Sequence, residues 1–236
     1  MTVPPPPWRR AARSPRRRAE KPVLSRDLVV KTALGILAAE GFEAVSMRRV
    51  AQQLETGPAS LYAHVANKEE LDELMLDAAL GDVPAPEPDP ARWAEQVKEQ
   101  VREQVRAMVA YPGIAKVAWN TPVPVTPNSL RQGEVMLKIL RAGGLDLKQA
   151  TYAGDALSLY AKAYAYEASS WTFGDYDEAE VAERGRQMAD YMRSLPAEAF
   201  PNLLHAGEFF TENTSAERFE FALAMFVGGL QALVRA

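Results

Sequence analysis

The sequence predicts an all-α fold with a small N-terminal head and a larger C-terminal body, and three observations carry that reading. Apolar residues recur three and four positions apart along most of the chain. No run alternates with period two, and neither hairpin signals nor internal repeats interrupt the pattern. One proline-rich stretch, residues 82–90, divides the helical segments into two groups. The 236 residues are 47% hydrophobic and 25% charged, globular values that exclude a collagen, a largely disordered chain and a membrane bundle. The longest uncharged apolar stretch, residues 221–234, is shorter than the about 20 residues a membrane span needs. No apolar segment of the signal-peptide kind follows the start, and Cys is absent, so a cytoplasmic protein is expected. Without Cys, and with only His64 and His205, neither a disulfide framework nor a multi-His metal centre can form, and no cofactor or metal is expected.

The elements follow in order. Residues 1–22 are expected to be a disordered basic tail, with four consecutive prolines and little aliphatic content. Arg9, Arg10, Arg13, Arg16, Arg17, Arg18, Lys21, Arg26 and Lys31 face only Glu20 and Asp27 in this end of the chain, yet the net charge is −4. The positive end therefore sits on an acidic body, which suits one end facing a polyanion. Residues 23–81 read as the head. Ser25 caps a first helix with Val29, Ala33, Ile36 and Leu37 inward, and Gly41 stops it. Ser46 caps a short second helix containing Val50, Ala51 and Leu54. The turn Glu55-Thr56-Gly57 leads to a third helix with Pro58 first, running to about His64. Asn67 caps a fourth helix, residues 68–81, with Glu70 in the reciprocal capping-box position. Residues 82–90 are the expected linker, and 91–236 the body. There Trp93, Val97, Val101, Val105 and Met108 form a helical stripe, a shorter segment spans 114–120, and further helices read as 129–142, 146–171, 178–195 and 216–234.

Two short helices joined by a tight Gly-containing turn and propped by a longer one form a helix-turn-helix. In that arrangement the second helix of the pair enters the major groove of DNA, N-terminal residues first. Here those residues are Gly57, Pro58, Ala59 and Ser60, small enough for close approach but poor in hydrogen-bonding information. Arg48 and Arg49 can add a guanine-reading fork or phosphate clamps. Tyr62, His64 and Lys68 lie where a phosphate backbone would pass. Core packing of the Tyr62 ring and a plain surface role for His64 remain open alternatives.

The runs from Ala33-Leu34 to Glu40-Gly41-Phe42, Ser46-Met47-Arg48-Arg49-Val50-Ala51, and Leu61-Tyr62-Ala63-His64-Val65-Ala66-Asn67-Lys68-Glu69-Glu70-Leu71 resemble the TetR family of one-component repressors over residues 24–80. Tyr111-Pro112-Gly113 and the runs at 140–145 and 218–223 resemble its tetracycline-repressor branch, each more weakly. The resemblance implies that Arg48 contacts a base, that Pro58, Ala59 and Ser60 face bases and phosphates, and that Tyr62, His64 and Lys68 bind phosphate. Met47 stands where that branch has a phosphate-bonding Thr, and Ala63 replaces a bulkier aromatic, so no operator sequence transfers.

The body carries two further sets of candidates. Phe219, Leu223, Phe226, Leu230 and Leu233 are spaced four, three, four and three, a heptad-like seam, with Gly228 and Gly229 allowing close approach. One chain's own core could absorb the stripe; the resemblance favours a homodimer through a four-helix bundle with the 129–171 region. Tyr160, Tyr164, Glu167 and Trp171 share one face of the long helix. Met108 and Trp119 come from helices that the resemblance places around a ligand cavity. Such a lining suits a flat, partly apolar small molecule, although the aromatic groups equally suit a core and Glu167 an interface ion pair. Because no His lies between Val65 and Leu204, the magnesium–tetracycline chelate that the branch holds through His is not the expected ligand. The resulting expectation is a dimeric, sequence-specific DNA-binding repressor, released from a palindromic operator by a small-molecule ligand acting through the fourth helix. An activator of the same fold, or a ligand- or partner-binding protein that no longer reads DNA, are the alternatives. An enzyme is not expected, because no nucleophile elbow, phosphate-cradling Gly loop or metal-ligand spacing occurs.

Overall fold

A computed structural model of the protein describes residues 23–111, 113–121, 125–173, 178–206, 209 and 215–235; the basic tail lies outside them. The described residues are helical, with no strand among them. The head comprises α1 (Arg26–Glu40), a 3-10 turn at Phe42–Ala44, α2 (Met47–Gln53), α3 (Pro58–Leu61) and α4 (Lys68–Ala79). The body follows as α5 (Trp93–Val109), α6 (Ile114–Asn120), α7 (Pro127–Ala142), α8 (Leu147–Phe173), α9 (Glu178–Ser194), α10 (Pro201–Ala206) and α11 (Ser215–Arg235).

The head's helix starts are fixed locally. The Ser25 hydroxyl accepts from the Leu28 amide, Ser46 from Arg49 and the Asn67 side chain from Glu70, at 3.2, 3.1 and 2.8 Å. These satisfy amides that lack a partner in the first helical turn. Glu70 reaches back to the Ala66 amide, one residue beyond the usual capping-box partner, the amide of Asn67. Gly41 ends α1 at φ 83, a left-handed value that glycine adopts without strain. The turn between α2 and α3 falls on the expected residues Glu55-Thr56-Gly57. Its left-handed residue is Glu55 at φ 50, while Gly57 is extended at φ −81. The third helix is shorter than expected: it ends at Leu61, and His64 lies in the turn beyond.

In the body, α7 begins two residues before its expected start. Pro127 occupies the first helical turn, where its missing N–H costs nothing. The short α10 had no counterpart in the sequence reading. Trp93 lies flat on Gly143, where an added Cβ would sit 2.3 Å from the ring. A single apolar cluster runs from Val29 in α1 to Val227 in α11, so the head packs onto the body.

The proline-rich segment is strapped down. Gln96, Gln100 and Gln132 are buried, and each donates to a backbone carbonyl of this stretch: Gln96 to Glu87 at 2.8 Å, Gln100 to Pro84 at 3.1 Å, Gln132 to Val83 at 2.9 Å. A proline-rich backbone offers carbonyls without matching N–H groups, so side-chain donors satisfy it here.

Candidate nucleic-acid interface and ligand cleft

The N-terminal end of α3 is open. Gly57, Pro58, Ala59 and Ser60 are all exposed, and Leu61 behind them is fully buried, anchoring the helix. Arg48 is exposed beside them, and Tyr62 is 54% exposed at the end of α3. The half-buried His64 contributes its carbonyl to the head, accepting from Arg26 Nε at 3.0 Å. These groups could line a groove in which small residues admit the backbone and Arg48 reads an edge.

Two of the expected DNA contacts are engaged in ion pairs within the head. Arg49 Nε and Nη2 both donate to the Glu40 carboxylate, and Nη1 to Gln53 Oε1 at 2.9 Å. Glu40 raises the Arg49 guanidinium further, and Arg49 holds Glu40 below the usual carboxylate range. The fork thus ties α2 to the end of α1. Lys68 Nζ pairs with Asp72 and sits 5.0 Å from the centre of the Phe42 ring. Burial pushes the Asp72 carboxyl up, against the opposing pull of Lys68. The lysine is therefore engaged within the head and must turn to reach a phosphate. The signal for Arg49 was Glu40, nine residues earlier and on another helix, a spacing that no local rule singles out.

The ligand candidates separate. Tyr160, Tyr164 and Glu167 line a cleft of about 220 Å³ with Ala163, Arg218 and Phe219. Tyr160 stacks on Phe219 at 5.7 Å between centroids, and Tyr164 lies 4.3 Å from the same ring. The Tyr164 hydroxyl is 3.2 Å from Ser215 Oγ. Burial raises the Tyr160 hydroxyl, with Tyr164 and Glu167 adding to the effect. Met108 is buried in the core and Trp119 is 57% exposed, and neither lines this cleft. The Trp171 side chain lies outside the described residues. Sequence reasoning did not place Arg218 here and gave Phe219 to another role.

The expected seam on α11 is divided between the chain's own core and its surface. Phe219 and Leu223 are buried within the chain itself, together with Val227, and Phe226 and Leu230 pack half-buried against the same core. The chain's own α8 covers the inner part of the stripe, with Tyr160 and Tyr164 against Phe219 and Tyr160 against Phe226. Of the five, only Leu233 is largely exposed. The outer side of α11 instead presents Phe221, Met225, Gly228 and Gly229, and α8 exposes Tyr152, Leu159 and Tyr166. Arg102 of α5 clamps α11 through a fork to Glu220, at 2.8 and 2.7 Å, and also binds Glu95 at 2.9 Å. The two carboxylates drive Arg102 up and are themselves held low.

An all-helical chain with an open helix-turn-helix head packed on a helical body is built like a DNA-binding regulator. Residues 29–73 match the bacterial regulatory proteins of the tetR family, and residues 85–234 match the tetracyclin repressor-like C-terminal domain. The chain belongs to this family of transcriptional regulators and is not an enzyme. It is 30% identical over 189 residues to an HTH-type transcriptional regulator of Saccharopolyspora erythraea, covering 80% of this chain and 76% of that one. It is 28% identical to the class C tetracycline repressor protein of Escherichia coli, covering 89% and 92%. Among solved structures, apo ActR from Streptomyces coelicolor is 45% identical, with 89% and 95% coverage and a TM-score of 0.78. ActR in complex with actinorhodin is 44% identical, with 89% and 98% coverage and a TM-score of 0.81. Regulators of this family bind operator DNA and small-molecule ligands and act as dimers. No helix among the described residues is long and apolar enough to cross a membrane.

Proposed function

We propose that the protein is a cytoplasmic homodimeric repressor that binds a near-palindromic operator and leaves it when a flat aromatic ligand occupies the body. The observation that carries the reading is the exposed start of α3 on a buried Leu61 anchor, with Arg48 of α2 and Tyr62 exposed as well. One head touches few bases; two heads read half-sites about 34–36 Å apart, which gives dimerisation its purpose. The surface favoured for pairing is the outer side of α8 and α11, with Phe221, Met225 and Leu159, because the inner stripe is already spent on the core. The small Gly228 and Gly229 leave room there for a second backbone. The similarity to ActR, solved with actinorhodin and with (S)-DNPA, makes these two compounds the first ligands to try. Among the described residues no cluster of three metal-ligating side chains occurs, and magnesium-dependent tetracycline binding is not part of the proposal.

The test is selection of random duplex DNA by the purified protein near physiological salt. Enrichment of one near-palindromic site is the expected result. A folded dimer that enriches no site would replace this reading with a ligand- or partner-binding protein. Removing residues 1–22 tests whether the basic tail contributes: each lost phosphate contact flattens the log–log salt slope by about 0.9.

A further inference from the structure

The joint between head and body is a reciprocal cap between two helix ends that lie far apart in sequence. The amides at the start of α7 receive no side-chain cap from Thr126, whose hydroxyl donates to Ser129 Oγ instead. Asp77, near the end of α4, takes that role. Its Oδ1 accepts from the Asn128 amide at 2.7 Å and from the Ser129 amide at 3.3 Å. Asn128 answers from the other side: Nδ2 donates to Asp77 Oδ2 and to the Asp77 carbonyl, both at 3.1 Å. Arg131 then donates to the Gly81 carbonyl at 2.9 Å, and Gln132 to that of Val83. Each helix end thus satisfies the orphan groups of the other.

Charge makes the pairing directional. An acidic residue near a helix C-terminus opposes its own helix dipole, and α4 has no basic residue in its last turn. Asp77 is misplaced for α4 alone and well placed for the positive N-terminal end of α7. Arg131 supplies from α7 the cation that α4 lacks. Gly81 keeps the joint close: a Cβ there would approach the Asn128 side-chain Nδ2 to 3.6 Å and the Ala78 carbonyl oxygen to 3.2 Å.

We infer that Asp77 is a positioning residue that makes α4 move as one body with the start of α7, so that a ligand-driven movement of α8, which lines the cleft and packs against α7, reaches the DNA-reading head through this joint. The inference rests on the ligand-released regulator proposed above. A second junction, Lys116 of α6 to Glu43 with its ammonium 4.9 Å from the Phe42 ring, holds the opposite side of the head but is exposed at Glu43. It supports the head's position without capping either helix.

The test compares wild type with Asp77→Ala, Asp77→Asn and Asn128→Ala. Operator Kd is measured with and without saturating actinorhodin, alongside the Kd for actinorhodin itself. Wild type is expected to lose operator affinity by a factor in the ~5–150 range of allosteric coupling. In Asp77→Ala and Asn128→Ala that factor falls by ~2–30-fold while both separate affinities stay near wild type. Asp77→Asn keeps one acceptor for the Asn128 amide and falls between. Undiminished release in Asp77→Ala overturns the inference, and so does loss of both affinities without selective loss of coupling. Should actinorhodin fail to release wild type, the ligand proposal falls and the joint is read by distance. The chain has no Cys, so Gln52→Cys and Glu134→Cys place spin labels on head and α7, diluted with unlabelled protein. A narrow distribution that broadens in Asp77→Ala supports the joint; an unchanged width overturns it.

Discussion

Head and body are held by polar contacts of different reach. In the head, caps span three residues: Ser25 to Leu28, Ser46 to Arg49, Asn67 to Glu70. In the body, Gln100 reaches Gln132 across 32 positions and Arg102 reaches Glu220 across 118, and at the joint Asp77 of the head reaches Asn128 of the body across 51. Local spacing therefore encodes the head's helix starts, although Arg26 and the His64 carbonyl meet there across 38 positions, whereas these body contacts are pairings that only the folded chain brings together. The same difference appears in what a residue type means. An exposed Arg48 in the head is free to meet DNA, while Arg102 in the body is spent on holding α11 to α5.

The strongest way to break this comparison lies on α11. Leu223 is fully buried inside its own chain, whereas Met225, two positions on, is 59% exposed. Leu223→Ala is expected to cost folding about 2–5 kcal/mol, read by denaturant titration. Met225→Arg is expected to leave the unfolding free energy of the monomer unchanged and to dissociate the dimer, read by sedimentation. If Leu223→Ala separates the copies without loss of stability, the inner stripe is the seam after all.

Glycines sharpen the comparison at a smaller scale. Gly143→Ala places a methyl group within 2.3 Å of Trp93 ring carbon, and overpacking of this kind costs about 1–3 kcal/mol. Gly57 in the head has nothing within 4 Å of an added Cβ and an extended backbone. Gly57→Ala should therefore leave thermal stability within about 0.5 kcal/mol of wild type, as surface changes do. Any loss of operator affinity in Gly57→Ala would then report contact with DNA rather than strain in the turn.

The adjacent arginines divide binding from folding. Arg48→Ala is expected to weaken operator binding by about 1–3 kcal/mol, the range of a good base contact, with an unchanged melting temperature. Arg49→Ala should instead lower the melting temperature, as should Glu40→Ala, since the two residues hold one ion pair. Equal losses of operator affinity in both arginine variants would mean that Arg49 leaves Glu40 when DNA binds.

These pairs also mark how far the sequence could be read. The capped helix starts, the open face of α3 and the order of the body helices followed from spacing and cap chemistry. The heptad-like stripe on α11 was visible, but its direction was not. A seven-residue repeat shows that one face is apolar, not whether α8 of the same chain or another copy covers it. Gln96 and Gln100 gave no signal because their partners are backbone carbonyls of a proline-rich segment, invisible to any pattern of side chains. Asp77 did carry one: an acid at the wrong end of its helix needs an electrostatic partner elsewhere.

The smallest expected effect concerns acid. Arg102 holds Glu95 and Glu220 below the ordinary carboxylate range, so both bind protons more weakly in the folded chain than in the unfolded one. Their contribution is fully present above the unfolded value of roughly 4.3 and disappears as pH falls through the lower folded values. Both carboxylates are partly solvent-exposed, which limits each pair to well under about 1 kcal/mol. The head's Glu40–Arg49 pair titrates with the same sign, so total stability cannot separate head from body. Amide exchange can, because α11 is tied to α5 by this fork. Protection of α11 should weaken between neutral pH and about pH 3, once corrected for intrinsic exchange, and Glu220→Gln should remove most of that pH dependence. If Glu220→Gln leaves the pH dependence of α11 intact, the helix is held by its apolar stripe alone, and the long-range ion pair contributes orientation without measurable stability.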